Sequence, residues 1–463
     1  MVGQHVQATL HEAVIQDFGS TLVGELLQPG DAGYDAARAV WNGMIDRRPA
    51  LIARCRGAAD AIAAVNFARD QGLLVAIRGG GHNVAGNAVC DGGLMIDLSP
   101  MKGARVDPTT RTARAEPGVL WRELDRESQA FGLATVGGTI STTGIAGLTL
   151  GGGAGWLSGK HGLTCDNLLS VDVVTADGIL RRASATEHED LFWGIRGAGA
   201  NLGLVTSFEY QLHPVGPLIL GGMVVHPFGR ARDALRFYRD FAAAQPDEST
   251  TYAAILTMPD GAMVVAMVTC YAGPAADGDR ALAPLKRYGP PIADTIGPMP
   301  YTALQSMLDG AFPTGRQNYW KSSYMSELGD EAIDTIVEYA KAVPSPFTVV
   351  LLQDFHGAVG RVAGDAMAFC HRDPAHALLI LSSWSDPGQS ERNVGWTREF
   401  FQAMQPHLSR GVYVNDLGDE GSERVRSAYG ANYERLVELK NAYDPANFFR
   451  LNQNIEPMRR PRA

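Results

Sequence analysis

Long apolar runs are missing from this 463-residue chain. No stretch reaches the roughly eighteen consecutive apolar residues that a bilayer-crossing helix needs, so no membrane partner is expected. An excess of positive charge is missing too: 40 Lys and Arg stand against 50 Asp and Glu, a net charge of −10. Nucleic acid and anionic membrane surfaces both want a basic face, and neither is expected as a partner. Cysteine is scarce. The five present (Cys55, Cys90, Cys165, Cys270 and Cys370) are odd in number, widely spaced and without a CxxC pair. That pattern argues against a disulfide framework and a zinc site, and for free thiols in a reducing cytoplasm. Residues 1–18 carry His5, His11, Glu12 and Asp17 and lack the apolar core of a signal peptide, which again gives a cytoplasmic expectation. No obligate protein partner is inferred. The length accommodates about three domain-sized units, or two larger ones.

What the chain has in plenty is glycine. The 53 glycines gather between positions 79 and 203. The densest signal is Arg78-Gly79-Gly80-Gly81-His82-Asn83, directly after the apolar run 73–77. A strand interior tolerates three consecutive glycines poorly, whereas a backbone approaching a ligand closely requires them. Such a turn can aim its N–H groups at an anion such as a pyrophosphate, with Arg78 as a fixed positive charge beside it. His82 is the side chain there able to act as a nucleophile near neutral pH. The same hexapeptide is also compatible with an ordinary glycine-rich turn and a surface histidine.

Residues 50–55 read as a strand and 58–71 as a helix with apolar residues at helical spacing. With 73–77 they form a strand–helix–strand unit suited to a nucleotide phosphate. Strands are expected at 94–99, 104–106, 112–115, 171–175 and 204–212, and helices from 119 to 131 and from 191. Between Thr135 and Gly159 charge almost vanishes while Ile140, Ile145, Leu148, Leu150, Trp156 and Leu157 alternate with glycines. A solvated linker would not carry those apolar residues, so the segment reads as backbone wrapped around a large buried ligand. After Pro217 the glycines thin out. Helices are expected at 231–244, 277–287, 330–341 and 390–404, with strands at 252–258, 263–271, 348–355 and 377–384, suggesting a mixed sheet with helices on one face. The tail is helical to about residue 442, and the dense run 447–455 reads as a docked end. The domain expectation is 1–216, 217–410 and a returning segment 411–463.

Taken in order, these motifs resemble the berberine-bridge-enzyme-like branch of the vanillyl-alcohol-oxidase (p-cresol-methylhydroxylase) flavoproteins, over nearly the whole chain from Pro49 to Ile455. The likeness rests on the Arg78–Asn83 turn, Thr143-Gly144-Ile145-Ala146-Gly147 with Gly151-Gly152-Gly153, and His161-Gly162-Leu163-Thr164-Cys165-Asp166-Asn167. Gly197–Gly203, Tyr413-Val414-Asn415, Tyr443-Asp444-Pro445 and Phe449-Arg450 complete it. The resemblance implies an α+β fold: a two-lobed FAD-binding domain and a substrate domain with a mainly antiparallel sheet covered by helices. It implies FAD, bonded to the protein through His82, with Arg78, Gly79, Gly80, Gly81, Asn83, Ser99 and Pro117 around that turn. Further cofactor contacts fall on Gly138, Thr139, Thr143, Gly144, Gly147 and Leu148, then on Gly152, Gly153 and Gly155. The His161 segment supplies His161, Gly162, Leu163, Asp166 and Asn167. Val173, Asn201, Gly203 and Val205 follow, and the tail adds Asn415, Asn452 and Asn454. Many relatives carry a second link through cysteine; Ile140 stands at that position here, so a single link through His82 is expected and Cys165 is set aside. Leu148 replaces a histidine often found near the flavin pyrimidine edge, leaving backbone N–H groups to stabilise the reduced cofactor. Thr143, close in size to valine, occupies the position of an oxygen gatekeeper.

For the substrate, the resemblance points to Tyr319, Lys321 and Tyr324, to Gln353, Asp354 and His356, and to Tyr413, Asn415 and Asp416. Alternation along the strand puts Asp354 and His356 on one face, either as a carboxylate–imidazole base or as a solvated edge. Asp416 replaces a tyrosine that often acts as base, so it could take the proton or bind a cationic amine. Trp320, Trp384 and Trp396 read as core. The expected activity is an oxidase passing a hydride from a small-molecule alcohol, amine or natural-product intermediate to FAD, and then to O2 as H2O2. A dehydrogenase or NADPH-dependent reductase, or a non-catalytic flavin-binding protein, remains open.

Overall fold

The computed structural model describes residues 10–373 and 375–458; His5 and the outermost residues of the first and third expected segments lie outside the described residues. Strands β1 (Glu25–Leu27) and β2 (Leu51–Arg54), helix α1 (Ala58–Asp70), and strands β3 (Val75–Arg78) and β4 (Leu94–Asp97) open the fold. The sheet order is β1-β2-β4-β3, with β4 parallel to both β2 and β3. Helix α1 carries the chain from β2 across to β3, so that the two run parallel on either side of β4. That helix buries Ala61, Ala64, Val65 and Ala68, the small stripe that lets it lie close on the sheet.

A second sheet follows. Its strands are β5 (Ala104–Asp107), β6 (Thr112–Ala115), β7 (Leu168–Val174), β8 (Leu180–Ser184) and β9 (Leu204–Gln211), ordered β5-β6-β9-β7-β8 and antiparallel throughout. Helices α2 (Trp121–Gln129), α3 (Ile145–Leu150) and α4 (Glu189–Ala198) connect and cover it. Val174 and Leu204 reach into the core of the first sheet and join the two lobes.

The third sheet is the largest. Strands β10 (Leu218–Pro227), β11 (Ser249–Thr257), β12 (Met263–Tyr271), β13 (Gln317–Met325), β14 (Val349–Phe355) and β15 (Ala375–Trp384) run β10-β12-β11-β14-β15-β13. Every pairing in it is antiparallel, which replaces the mixed sheet suggested by the strand–helix alternation. Helices α5 (Ala231–Ala244), α6 (Ala275–Arg287), α7 (Asp330–Ala340) and α8 (Ser390–Met404) pack on one face, over Val224, Ile255, Met267, Leu352 and Ile380. The other face presents Met223, Ala254, Ala266, Leu351, Leu379 and Leu381 to a cavity. Both faces are covered, so these strands are apolar on both parities and look continuous in sequence.

The chain then returns through α9 (Ser422–Tyr429) and α10 (Tyr433–Tyr443). Lys440 and Asp444 form a fully buried pair, Nζ to Oδ2 2.7 Å. Lys440 also donates to the carbonyls of Asn201 and Phe449, and Asp444 accepts from the N–H groups of Phe448 and Phe449. With every polar atom paired this way, the buried charges hold the tail against the second lobe. Among the described residues, no helix is long and apolar enough to cross a membrane.

Candidate active site

A cavity enclosing about 2280 Å³ of empty space, its mouth included, lies between the two lobes and the third sheet. Its floor comes from the turn after β3. Gly79, Gly80, Gly81, His82 and Asn83 all line it, as do Gly138, Thr139, Ile140, Thr143, Gly144, Gly147 and Leu148. Two glycine motifs cross here: a Cβ on Gly80 would sit 2.6 Å from the backbone of Gly144. A Cβ on Gly147 would meet nothing within 4 Å, so at that position the missing side chain leaves open room. The glycine-rich run thus serves two ends, backbone against backbone and backbone against cavity.

His82 is half-buried, and its Nε2 is shielded and has no hydrogen-bond partner. Burial pushes its pKa down to about 4, so the imidazole is neutral at physiological pH. The indole of Trp41 stacks on the ring, with centroids 4.6 Å apart and planes 18° from parallel.

Arg78 is placed elsewhere. Its guanidinium donates to Asp97 (Nη2 to Oδ2 2.6 Å, Nε to Oδ1 2.9 Å) and to the Ala39 carbonyl, and does not line the cavity. Ser99 takes a fourth contact from it at 3.3 Å. Burial works against the Asp97 charge, but Arg78 more than offsets it and lowers the pKa. The positive charge expected beside the turn is therefore neutralised on the far side of β3. Pro117 lies behind Gly79 and also falls outside the lining.

The rest of the expected cofactor set divides in the same manner. Asn201, Asn415 and Asn452 line the cavity. Gly152, Gly153 and Gly155 are packed against Phe369, Thr164 and Gly137. Asp166 and Arg372 form a buried bidentate pair at 2.8 Å, and Asp166 also caps Leu163. Asn167 donates to the carbonyls of His161 and Leu163, and His161 stacks on His213 at 3.8 Å. Gly162 lies against Asp166, Val173 and Val205 are register partners inside the second sheet, and Gly203 packs on Val173. None of these, nor Asn454, lines the cavity. Cys165 is fully buried with its sulfur 3.5 Å from that of Met367, and burial raises its pKa well above the ordinary range.

Above the floor, strand parity decides which side chains reach the cavity. Along β14, Val349, Leu351 and Gln353 line it, while Leu352 packs under the helices. Asp354 takes that opposite parity, accepts from Gln245 at 2.9 Å, and lies 2.6 Å from Nδ1 of His356. Burial opposes a charge on His356, but the Asp354 carboxylate outweighs it and raises the pKa. The expected carboxylate–imidazole pair therefore exists, outside the cavity lining and against Gly159. Along β13, Trp320 reaches the cavity; Lys321 pairs with Glu420 at 2.9 Å, and Tyr319 meets Arg398. Tyr324 is buried against Phe355 and His371 behind the lining. Trp320, expected in the core, is a wall residue, whereas Trp384 is core.

The segment after β15 closes the site. The Tyr413 hydroxyl accepts from the Gly153 N–H at 2.7 Å and from Asn415 Nδ2 at 2.8 Å. Burial raises its pKa. Asp416 is buried with Oδ2 unpaired, and desolvation pushes its pKa up to about 7. Among the described lining residues Asp416 is the sole carboxylic acid, and no Lys or Arg is present. Asn87, Tyr252, Phe312, Tyr429 and Gln453 also line the cavity, and Trp41 stands behind His82. No motif or spacing in the sequence marks these residues as belonging to a site.

Both the sequence and the fold match known proteins. A family model described as "FAD binding domain" matches residues 49–184, and one described as "Berberine and berberine like" matches 412–456. The chain is 32% identical over 459 residues to (R)-6-hydroxynicotine oxidase of Paenarthrobacter nicotinovorans, covering 94% of this chain and 97% of that one. It is 30% identical over 448 residues to an FAD-linked oxidoreductase of Dictyostelium discoideum, covering 96% and 97%. The fold superposes on the crystal structure of 6-hydroxy-D-nicotine oxidase from Arthrobacter nicotinovorans with a TM-score of 0.86 at 31% identity, covering 94% and 98%. BBE-like 1 of Physcomitrella patens gives a TM-score of 0.88 at 22% identity, a likeness of fold alone.

Proposed function

Since this chain belongs to the berberine-bridge-enzyme-like family of FAD-linked oxidoreductases, we propose that it is an oxidase of small, largely apolar alcohols or amines, with FAD bonded to His82. One observation carries the proposal: a single cavity brings together the glycine turn bearing His82 and a roof whose polar groups are Gln353, Tyr413 and Asp416. The residues present fit the cofactor. Gly147 leaves room, the 79–83 turn offers backbone N–H groups to a pyrophosphate, and His82 supplies an unpaired neutral nitrogen. Such a cofactor would supply hydride acceptance from the substrate carbon and return of the electron pair to O2 as H2O2.

The protein's part is orientation and proton transfer. Gln353 can hydrogen-bond the substrate heteroatom. Ionised Asp416 takes the O–H or N–H proton as the hydride leaves, and a pKa near 7 suits a base at neutral pH. Tyr413 is a poorer base, because burial and Asp416 both disfavour its phenolate and no cation lines the cavity to favour it. The apolar roof excludes water and offers no partner to a carboxylate. Were His82 to be joined to the cofactor through Nε2, one hydrogen of the flavin 8α-methyl and the imidazole N–H hydrogen would have to leave with two electrons, which O2 would take up as H2O2.

Acid precipitation tests the bond. A yellow pellet from the native protein and a colourless one from His82→Ala are expected; a colourless native pellet refutes the covalent link. Peroxide release on a panel of apolar amines and alcohols tests the oxidase assignment, and reduction without peroxide would reassign the acceptor.

A further inference from the structure

The segment before β2 is laced to both halves of the cavity. On one side it holds the His82 turn: the Trp41 N–H donates to the Gly81 carbonyl at 3.0 Å, and Asn42 Nδ2 donates to the Val84 carbonyl at 2.8 Å. On the other side it holds the roof. Trp41 Nε1 donates to the Phe312 carbonyl at 3.0 Å, and the Gly315 N–H donates to the Trp41 carbonyl at 2.9 Å. Asn42 trades hydrogen bonds with the backbone of Asn318 at 2.9 and 3.0 Å. The Gly43 N–H donates to the Arg316 carbonyl at 2.7 Å. Trp41 therefore has its backbone and its indole N–H fixed, and its ring cannot swing. That fixed ring lies flat on His82 at 4.6 Å and takes Trp320 of the roof edge-on at 5.4 Å and 66°.

His82 has no comparable anchor. Among the described residues, no hydrogen bond from a ring nitrogen to another residue positions it, and Nε2 has no partner. An imidazole oriented by a carboxylate or carbonyl has its ring plane fixed by that bond; here an aromatic face occupies that role. Stacking fixes the ring plane while leaving Nε2 without a partner, which suits a ring that must form a bond through that atom.

We propose that Trp41 is a positioning residue for attachment of the cofactor: its indole, pinned to the roof at Phe312, holds the His82 imidazole in the plane from which Nε2 reaches the flavin methyl. The proposal rests on the covalent reading above and adds to it a residue that touches neither the bond formed nor the substrate. Loss of the stack leaves the FAD site intact but lets the ring turn. Misplacing a reacting group by about 1 Å costs on the order of a hundredfold in rate, so attachment should lag far behind binding.

The test compares purified native protein with Trp41→Phe and Trp41→Leu, reading two quantities for each: total FAD per polypeptide, and the fraction of that FAD remaining in the pellet after acid precipitation. Phe keeps an aromatic face and Leu keeps only apolar bulk. Expected are near-stoichiometric FAD in all three, an unlinked fraction about tenfold higher in the Leu protein, and an intermediate fraction in the Phe protein, which keeps the aromatic face but not the Nε1 hydrogen bond to Phe312. Equal linkage in the Leu and Phe proteins overturns the proposal, as does FAD lost from the Leu protein in proportion to its unfolding. Native protein that releases its flavin in acid overturns the covalent reading itself and this proposal with it. Linked native protein with equally linked variants overturns the role of Trp41 alone.

Discussion

Asp416 carries a proton equilibrium that burial has moved to neutrality, and its consequences have a definite sign. The carboxyl pKa rises from the ordinary 3.8 to about 7 in the folded protein. Between those values the native state holds a proton that the unfolded chain has released. The stability this group contributes is therefore complete below about pH 4 and lost as pH rises through about 7. With Asp416 as the proposed base, which works ionised, activity should run the other way: kcat/KM should climb across the same interval with an acid limb near pH 7. Asp416→Asn removes both effects. It should lower kcat/KM by about 10²- to 10⁴-fold and raise Tm by at least about 2 °C at pH 8, with no gain at pH 4. Calorimetry at the two pH values and a pH–rate profile check both halves, and native rates in the Asn protein would remove Asp416 from the reaction.

At the scale of elements, β14 shows how one parity of a strand can face a cavity while the other packs away from it. Gln353 and Asp354 are sequence neighbours, yet only Gln353 lines the cavity. Gln353→Ala should raise KM or lower kcat by about tenfold with little change in Tm, while Asp354→Asn should cost about 1–3 kcal/mol of stability and leave kcat within about twofold. Steady-state kinetics and urea unfolding on the same two proteins separate the roles. Period-two alternation was legible in the sequence, but which parity faced inward was not, because that depends on where α5 to α8 pack. Helices and strands of the substrate half were readable almost to the residue, as at Ala231–Ala244, Ser390–Met404 and Met263–Tyr271, where long periodic runs leave one option. β10 and β13 were not; Gly221 and Gly222 interrupt the first, and Lys321 and two serines give the second a polar look. The glycine turn was legible as a ligand cradle, but its crossing with Gly144 was not, since nothing local pairs residues so far apart. Gly80→Ala must push that crossing open, and the holoprotein absorbance ratio at about 450 to 280 nm should collapse with it.

Across the whole molecule, the buried Lys440–Asp444 pair decides whether the cavity is closed. Lys440→Met leaves the Asp444 carboxylate without its cation, and should destabilise the protein by about 3–5 kcal/mol. The flavin should become exposed to solvent well below the global unfolding midpoint, because Phe449, Leu451, Asn452 and Gln453 line the cavity just beyond that pair. Denaturant titrations followed by flavin fluorescence and by circular dichroism should then separate, whereas they coincide in the native protein. The location of that closing strip also sets an order of events during synthesis. Both lobes and the entire roof leave the ribosome before residues 440–453 do, and domains fold as they emerge. A nascent chain therefore passes through an interval in which its cradle is formed and its door is still unmade. A cradle that is open during that interval can take up its guest before the tail seats, so cofactor supply during translation should govern how much of the protein matures.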